Sequence, residues 1–347
     1  MNYGISVLFR AIPLLMGCFC FMFGAYILIL GGPDSAVPGR VVFALGMICI
    51  ALYSTAAVII RQLIGKFHPV LRFLLPGLGY SAGLATIIYA LTLLAHESVL
   101  SSDVVSGHVV FGVGLITMCV ATAALSSIRF KLISENSSKP LGIISEKAYS
   151  KTMVYILISI VTVISLIGWI WTIVLLTHAE NISYFVAGHV MAGLAAICTS
   201  LIALVVSLTK QTRNEYNQFD KKFWHRYVLT IASLLFLWAL AVIFMYEDSA
   251  HSSIGFIMIG LSLVCYSISS KIILLSRIWK SSFELANRIP IIPVMTALLC
   301  LFLASFLFER EAFDSSYFIP ARVLAGLGAI CFTLFSIVSI LESGSKK

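Results

Sequence analysis

The sequence predicts an all-α polytopic membrane protein. Ten transmembrane helices form five parallel helical hairpins in a pseudo-fivefold ring, with both termini cytoplasmic. Three observations carry this fold class. Apolar residues make up 60% of the 347-residue chain and charged residues only 11%, against about 45–50% and about 25% in a soluble domain. Mean hydropathy is +1.03. Folding cannot hide that much apolar surface from water, so lipid is the main solvent. The second observation is a one-sided distribution of basic residues, and the third is a short motif that recurs along the chain.

Ten apolar windows are long enough to cross a bilayer: 11–31, 41–60, 73–95, 109–127, 153–177, 189–209, 227–246, 254–276, 289–308 and 323–341. Each is a helix, because a lone segment in hydrocarbon must satisfy its own backbone hydrogen bonds. In order along the chain, the first window carries Leu15-Met16-Gly17-Cys18. Its apolar run continues well past Cys18, which marks an uncleaved span rather than a signal segment. The second window ends at Arg61, and Lys66 and Arg72 follow it before the third. Arg129, Lys131, Lys139, Lys147 and Lys151 separate the fourth from the fifth, and Lys210, Arg213, Lys221, Lys222 and Arg226 the sixth from the seventh. The alternate connections 32–40, 96–108, 178–188, 247–253 and 309–322 hold Arg40, Arg310 and Arg322 as their only Lys or Arg, leaving 20 of the 23 basic residues on the other side. Basic segments stay cytoplasmic, which sets the orientation. The same outer connections hold nine of the fifteen acids, including Asp34, Glu97, Asp103, Glu180, Asp248, Glu311 and Asp314. The net charge of +8 is therefore a topology signal and implies no nucleic-acid partner.

The repeat is visible in Val37-Pro38-Gly39-Arg40-Val41, Val105-Ser106-Gly107-His108-Val109, Val186-Ala187-Gly188-His189-Val190 and Ile319-Pro320-Ala321-Arg322-Val323, with a degenerate copy at His251-Ser252-Ser253-Ile254-Gly255. The spacing makes each unit one hairpin: 11–60, 73–127, 153–209, 227–276 and 289–341, within a single transmembrane domain over 1–347. Two helices per unit keep every copy in the same orientation, and parallel copies are related most simply by rotation about the membrane normal. Gly46, Gly114, Gly193, Gly260, Gly326 and Gly328 all lie in second helices. Small residues let membrane helices approach closely, so second helices are expected inside. First helices carry Trp169, Trp171 and Trp238 and are expected to meet lipid.

Arg40, His108, His189 and Arg322 share a register and form a candidate periplasmic mouth ring, where histidine would respond to outer pH. A heptad-like face continued from them nominates an axial lining of Met47, Leu115, Leu261, Ser54, Thr122, Ser200, Thr333 and Ser336. An apolar constriction on such an axis gates by dewetting; the bland reading is a dry packed core. Lys271 is the deepest charge and is expected to snorkel to the cytoplasmic surface. No span carries a carboxylate, Arg or His near its middle, which argues against a proton-coupled pump. The chain lacks HExxH, GxSxG and Walker A patterns and paired carboxylates, so no catalytic residue, enzyme activity or cofactor is expected. The eight cysteines show no CxxC pair, and His108 and His189 have no further ligand beside them, so no metal site is expected.

Val186 to Val190, Gln211-Thr212-Arg213-Asn214, Ala286-Asn287-Arg288-Ile289-Pro290, and the tail from Tyr317 through Phe335-Ser336-Ile337-Val338-Ser339-Ile340-Leu341-Glu342 carry a resemblance. The chain resembles the YhiM family of enterobacterial inner-membrane proteins along its whole length. The resemblance implies a ten-span inner-membrane protein linked to acid survival and envelope permeability, with Gly-His in some members where this chain has Gly39-Arg40. It implies no substrate. Two functions follow as expectations. One is a channel-like or permeability-modulating protein of acid stress that passes a small ion or solute. The other is a non-conducting sensor or scaffold that regulates a partner transporter in the same bilayer.

Overall fold

The structure is a computed structural model that describes residues 3–32, 35–64, 69–95, 101–129, 149–213, 215–280 and 289–345. Asp34, Lys66, Glu97, Lys131, Lys139, Lys147, Asn214 and Ala286-Asn287-Arg288 lie outside the described residues, as do the side chains from Glu342 onward. Among the described residues the chain is all-helical with no strand. The helices are α1 (Tyr3–Leu30), α2 (Ala36–Ile64), α3 (Pro69–Leu94), α4 (Ser101–Ser127), α5 (Lys151–Leu176), α6 (Ile182–Thr212), α7 (Gln218–Met245), α8 (Ser249–Lys280), α9 (Ile291–Glu311) and α10 (Phe318–Ser345). Ten segments of these helices are long and apolar enough to span a membrane.

Most helices begin before the apolar windows do. Hydropathy marks the hydrocarbon slab, whereas polar caps mark the helix start. Asn181 accepts from the Ser183 amide, which starts α6 seven residues ahead of its window. Asn217 and Asp220 form a reciprocal capping box on α7, and Ser150 accepts from the Met153 amide on α5. The Arg/His column therefore lies one to two turns inside the helices rather than at their tips.

Burial divides the helices in two sets. Within the apolar windows, α2, α4, α6, α8 and α10 are between 78% and 89% buried, while the odd-numbered helices are between 28% and 33% buried. Each odd helix packs antiparallel on the even helix that follows it. It also rests on the preceding even helix, so α3 touches α2, α5 touches α4, α7 touches α6, α9 touches α8 and α1 touches α10. The even helices contact one another in succession, α2 to α4, α4 to α6, α6 to α8 and α8 to α10, and α10 returns to α2.

The six glycines expected at close contacts fall into two classes. A Cβ at Gly46 would meet the Phe21 ring at 2.7 Å, one at Gly114 would meet Ile87 at 2.6 Å, and one at Gly328 would meet Leu301 at 3.3 Å. These three admit the odd helix of their own hairpin. A Cβ at Gly193 would lie 2.4 Å from Leu261, one at Gly260 2.6 Å from Leu324, and one at Gly326 2.7 Å from Leu45. These three, with Gly112 against Met191 and Leu194, admit the next even helix.

Candidate functional site

The glycine contacts define the register between hairpins. Immediately before the Arg/His column, Gly39, Gly107 and Gly188 receive Leu28, Leu94 and Leu176 from the ends of α1, α3 and α5. In α8 the glycine that receives Ile243 from the end of α7 is Gly255. The position equivalent to Arg40, His108, His189 and Arg322 is therefore Phe256, not Ile254. Gly260 moves with it into the class of Gly112, Gly193 and Gly326. The correction is two residues and arises because the motif in α8 has lost its polar landmark.

Each column residue sits in a junction between helices. Arg40 pairs with Asp103 of α4 and donates to Ser106 Oγ at 3.0 Å. His108 Nδ1 accepts from Trp171 Nε1 of α5 at 3.1 Å, and its ring lies 6.1 Å from that of Tyr184. His189 Nδ1 lies 2.8 Å from the Phe185 carbonyl, with the Trp238 ring of α7 5.7 Å away. Phe256 meets Tyr317 at 6.2 Å. Arg322 forks onto Glu311 at 2.6 and 3.1 Å and lies over the rings of Phe308 and Phe318. The five are thus separate interhelix clamps, engaged with neighbouring carboxylates and aromatic rings, and they do not converge on a common charged mouth. A guanidinium partly withdrawn from water needs a carboxylate, and Asp103 of α4 and Glu311 of α9 supply one for each arginine.

Trp171 also departs from its expected lipid-facing position. It is half-buried, bonds His108, and packs on Phe111 at 4.7 Å. Trp169 likewise donates to Thr199 Oγ1 at 2.9 Å. An indole N–H in hydrocarbon needs an acceptor, and the adjacent even helix offers one.

The five even helices surround a small central cavity of about 30 Å³. Four layers line it. Leu45, Leu194, Leu261 and Leu327 form the first; Ile48, Ile116, Ile197, Val264 and Ile330 the second. Leu52, Val120, Leu201, Ile268 and Leu334 form the third, and Thr55, Ala123, Leu204 and Lys271 the fourth. In the corrected register these are positions five, eight, twelve and fifteen after the column, a seam spanning about 15 Å at 1.5 Å per residue. Of the expected axial lining only Leu261 is among them. Five of the other seven meet a neighbouring helix. Met47 lines a crevice with Tyr89, Leu115 lies beside Gly168 of α5, Ser54 donates to the Leu75 carbonyl, and the Thr122 and Tyr80 hydroxyls pair at 2.8 Å. Thr333 Oγ1 lies 3.8 Å from Cys49 Sγ, while Ser200 and Ser336 bond carbonyls of their own helices. Small hydroxyl residues suit close helix contacts, where backbone acceptors are near; branched aliphatics fill the wider centre.

Lys271 is the feature that sequence reasoning misplaced. It is 3% exposed and lines the central cavity. Helical side chains lean towards the helix N-terminus. A lysine near the C-terminal end of α8 on the central seam therefore leans back into the bundle rather than out of it. The signal was available in the seam itself, since Leu261, Val264, Ile268 and Lys271 follow the three-and-four spacing of one helix face.

Outside the spans, hydrogen bonds at two turns favour the ionised form of Asp248 and Asp314. Asp248 accepts from the Ala250 amide and touches His251, which keeps its carboxyl below the usual value. Asp314 is lowered by bonds from Ser249 and Ser316. Among the described residues no group of three metal-ligating side chains occurs.

The family described as "Protein of unknown function (DUF2776)" matches residues 1–346. The curated "Inner membrane protein YhiM" of Escherichia coli (strain K12) is 45% identical over 350 residues, covering 100% of this chain and 100% of that protein. No solved structure matches the chain.

Proposed function

That this chain belongs to the DUF2776 family and is a multi-pass inner-membrane protein is the premise from which we propose a gated, channel-like function. In this reading the five hairpins are copies of one unit, closed into a ring about the membrane normal, with both termini in the cytoplasm. The even helices are its inner wall. The resting state is shut by the aliphatic layers on the axis, and opening raises inner-membrane permeability during acid stress, as the family resemblance implies.

The observation that carries the reading is the central cavity, to which every hairpin contributes its even helix and which ends in a buried lysine. Three aliphatic layers exclude water from so narrow a centre, and such a constriction conducts only when wetted. The closed contact succession of the even helices and the 20-to-3 basic split support ring and orientation respectively.

The test is a flux assay in liposomes. Wild type is expected to be tight or nearly so at pH 7, and Leu201→Ser or Leu334→Ser, each adding a hydroxyl to the third layer, is expected to leak ions. A second reading is favoured by the small volume of the cavity: a non-conducting scaffold that regulates a partner transporter. Liposomes that stay tight at every pH with correctly folded serine variants would remove the channel reading and leave the scaffold.

A further inference from the structure

We propose that Lys271 and the inner end of the central cavity form a binding site for a small inorganic anion of about halide size. As a consequence, the channel of the preceding section passes anions in preference to cations; only this second clause rests on that reading.

Three side chains carrying formal charge are buried among the described residues: Asp103, Asp220 and Lys271. Asp103 has Arg40, and Asp220 has Lys210 at 2.6 Å together with Trp224 Nε1 at 3.1 Å. The Lys271 ammonium has no hydrogen-bond acceptor and no carboxylate among the described residues. The other cavity-lining residues in its layer are Thr55, Ala123 and Leu204, and the Thr55 hydroxyl already donates to the Ala51 carbonyl at 3.0 Å. A buried ammonium without a partner is expensive, and intramembrane lysines are found paired or facing a functional cavity. Here no partner stands among the described residues, and the side chain lines a cavity.

The size of the cavity selects the ligand class. Its volume of about 30 Å³ is above the roughly 10–15 Å³ that one water needs on the same measure and leaves no room for a polyatomic ligand. One halide-sized anion fits; a metabolite carboxylate, a phosphate ester or a lipid headgroup does not. The aliphatic walls above the lysine offer no hydrogen bonds, so they favour a weakly hydrated monovalent ion over a strongly hydrated one. In the orientation proposed above, the basic connections of the cytoplasmic face raise the local anion concentration at that end of the bundle.

The experiment uses the full chain in detergent, melted in sodium chloride and in sodium gluconate of equal ionic strength. The wild type is expected to gain roughly 2–4 °C in chloride, saturably. Lys271→Met keeps the length of the side chain and removes the charge; it is expected to melt identically in both salts and above wild type in gluconate, because a buried unpaired charge has been replaced by an apolar chain. Lys271→Arg is expected to keep a chloride response. A wild type indifferent to chloride, or a Lys271→Met protein that keeps the full response, overturns the site; Lys271→Gln repeats the comparison if the methionine variant does not fold. In liposomes under a potassium chloride gradient, the leaking Leu201→Ser variant is expected to show a reversal potential of anion-selective sign. Adding Lys271→Met is expected to abolish that selectivity. Conduction without charge preference overturns the anion path. Absence of conduction in every variant removes the channel reading alone, and the melting comparison still decides the site.

Discussion

Gly193→Ala tests the packing rule that joins one hairpin to the next. The added Cβ would lie 2.4 Å from Leu261 Cδ1, 3.0 Å from its Cβ and 3.2 Å from its Cγ. The Cδ1 end of Leu261 can rotate, but its Cβ is fixed by the α8 backbone, so the 3.0 Å contact is relieved only by moving that helix. Two effects oppose each other. Alanine is the better helix former by about 1 kcal/mol, while overpacking a filled contact costs about 1–3 kcal/mol. Because the Cβ contact cannot yield without moving α8, the second wins, and a net loss of roughly 1–2 kcal/mol is expected. Leu261→Ala alone is expected to lose about 2–5 kcal/mol. In that background the Cγ and Cδ1 contacts are gone and α8 has room to shift at the Cβ, so Gly193→Ala becomes neutral or stabilising by up to about 1 kcal/mol. The cycle therefore yields a coupling of roughly 1–3 kcal/mol, read from reversible unfolding of the purified protein in mixed micelles. Gly328→Ala is the internal control: Leu301 stands 3.3 Å away and 45% exposed, so it can yield, and little or no loss is expected. If Gly193→Ala is equally damaging with and without Leu261, the register that seats each leucine on the preceding glycine is wrong.

Three further outcomes follow. Trp171→Phe keeps the ring but leaves His108 without its donor, and a loss of about 0.5–1.5 kcal/mol is expected, absent when His108 is already Phe. A reporter fused after Lys210 or at the C-terminus should be cytoplasmic and one inserted at Asp314 periplasmic; a periplasmic C-terminus would invert every hairpin. Asp314 has a depressed pKa in the fold, so its stabilising contribution is present above the unfolded carboxylate value and is lost as pH falls through the lower folded value. Asp314→Asn should accordingly lower the melting temperature at pH 7 and change it less at pH 3, and an equal effect at both would show that the charge is irrelevant to that turn.

Much of this protein was determined by its sequence alone. Ten helices follow from apolar length, because hydrocarbon leaves a lone segment no other way to satisfy its backbone. The division into buried and lipid-exposed helices was legible in where glycine occurs, since close approach needs small residues whatever the partner. What only the tertiary structure decided is rotation. A helix turns 100° per residue, so an error of one position moves a side chain from the centre to a neighbouring helix. For that reason Met47 and Ser54 left the expected lining while Ile48 and Thr55 entered it. The same sensitivity hid Phe256, whose place is set by Gly255 against Ile243 and not by any residue type in the motif. Arg40 and Arg322 share a column in the sequence, but their partners, Asp103 on the next hairpin and Glu311 on the same one, follow from the side-chain packing that joins hairpins. Lys271 is the sharpest case: its charge and depth could be read directly, but whether it reached water depended on which face of α8 met the other four even helices.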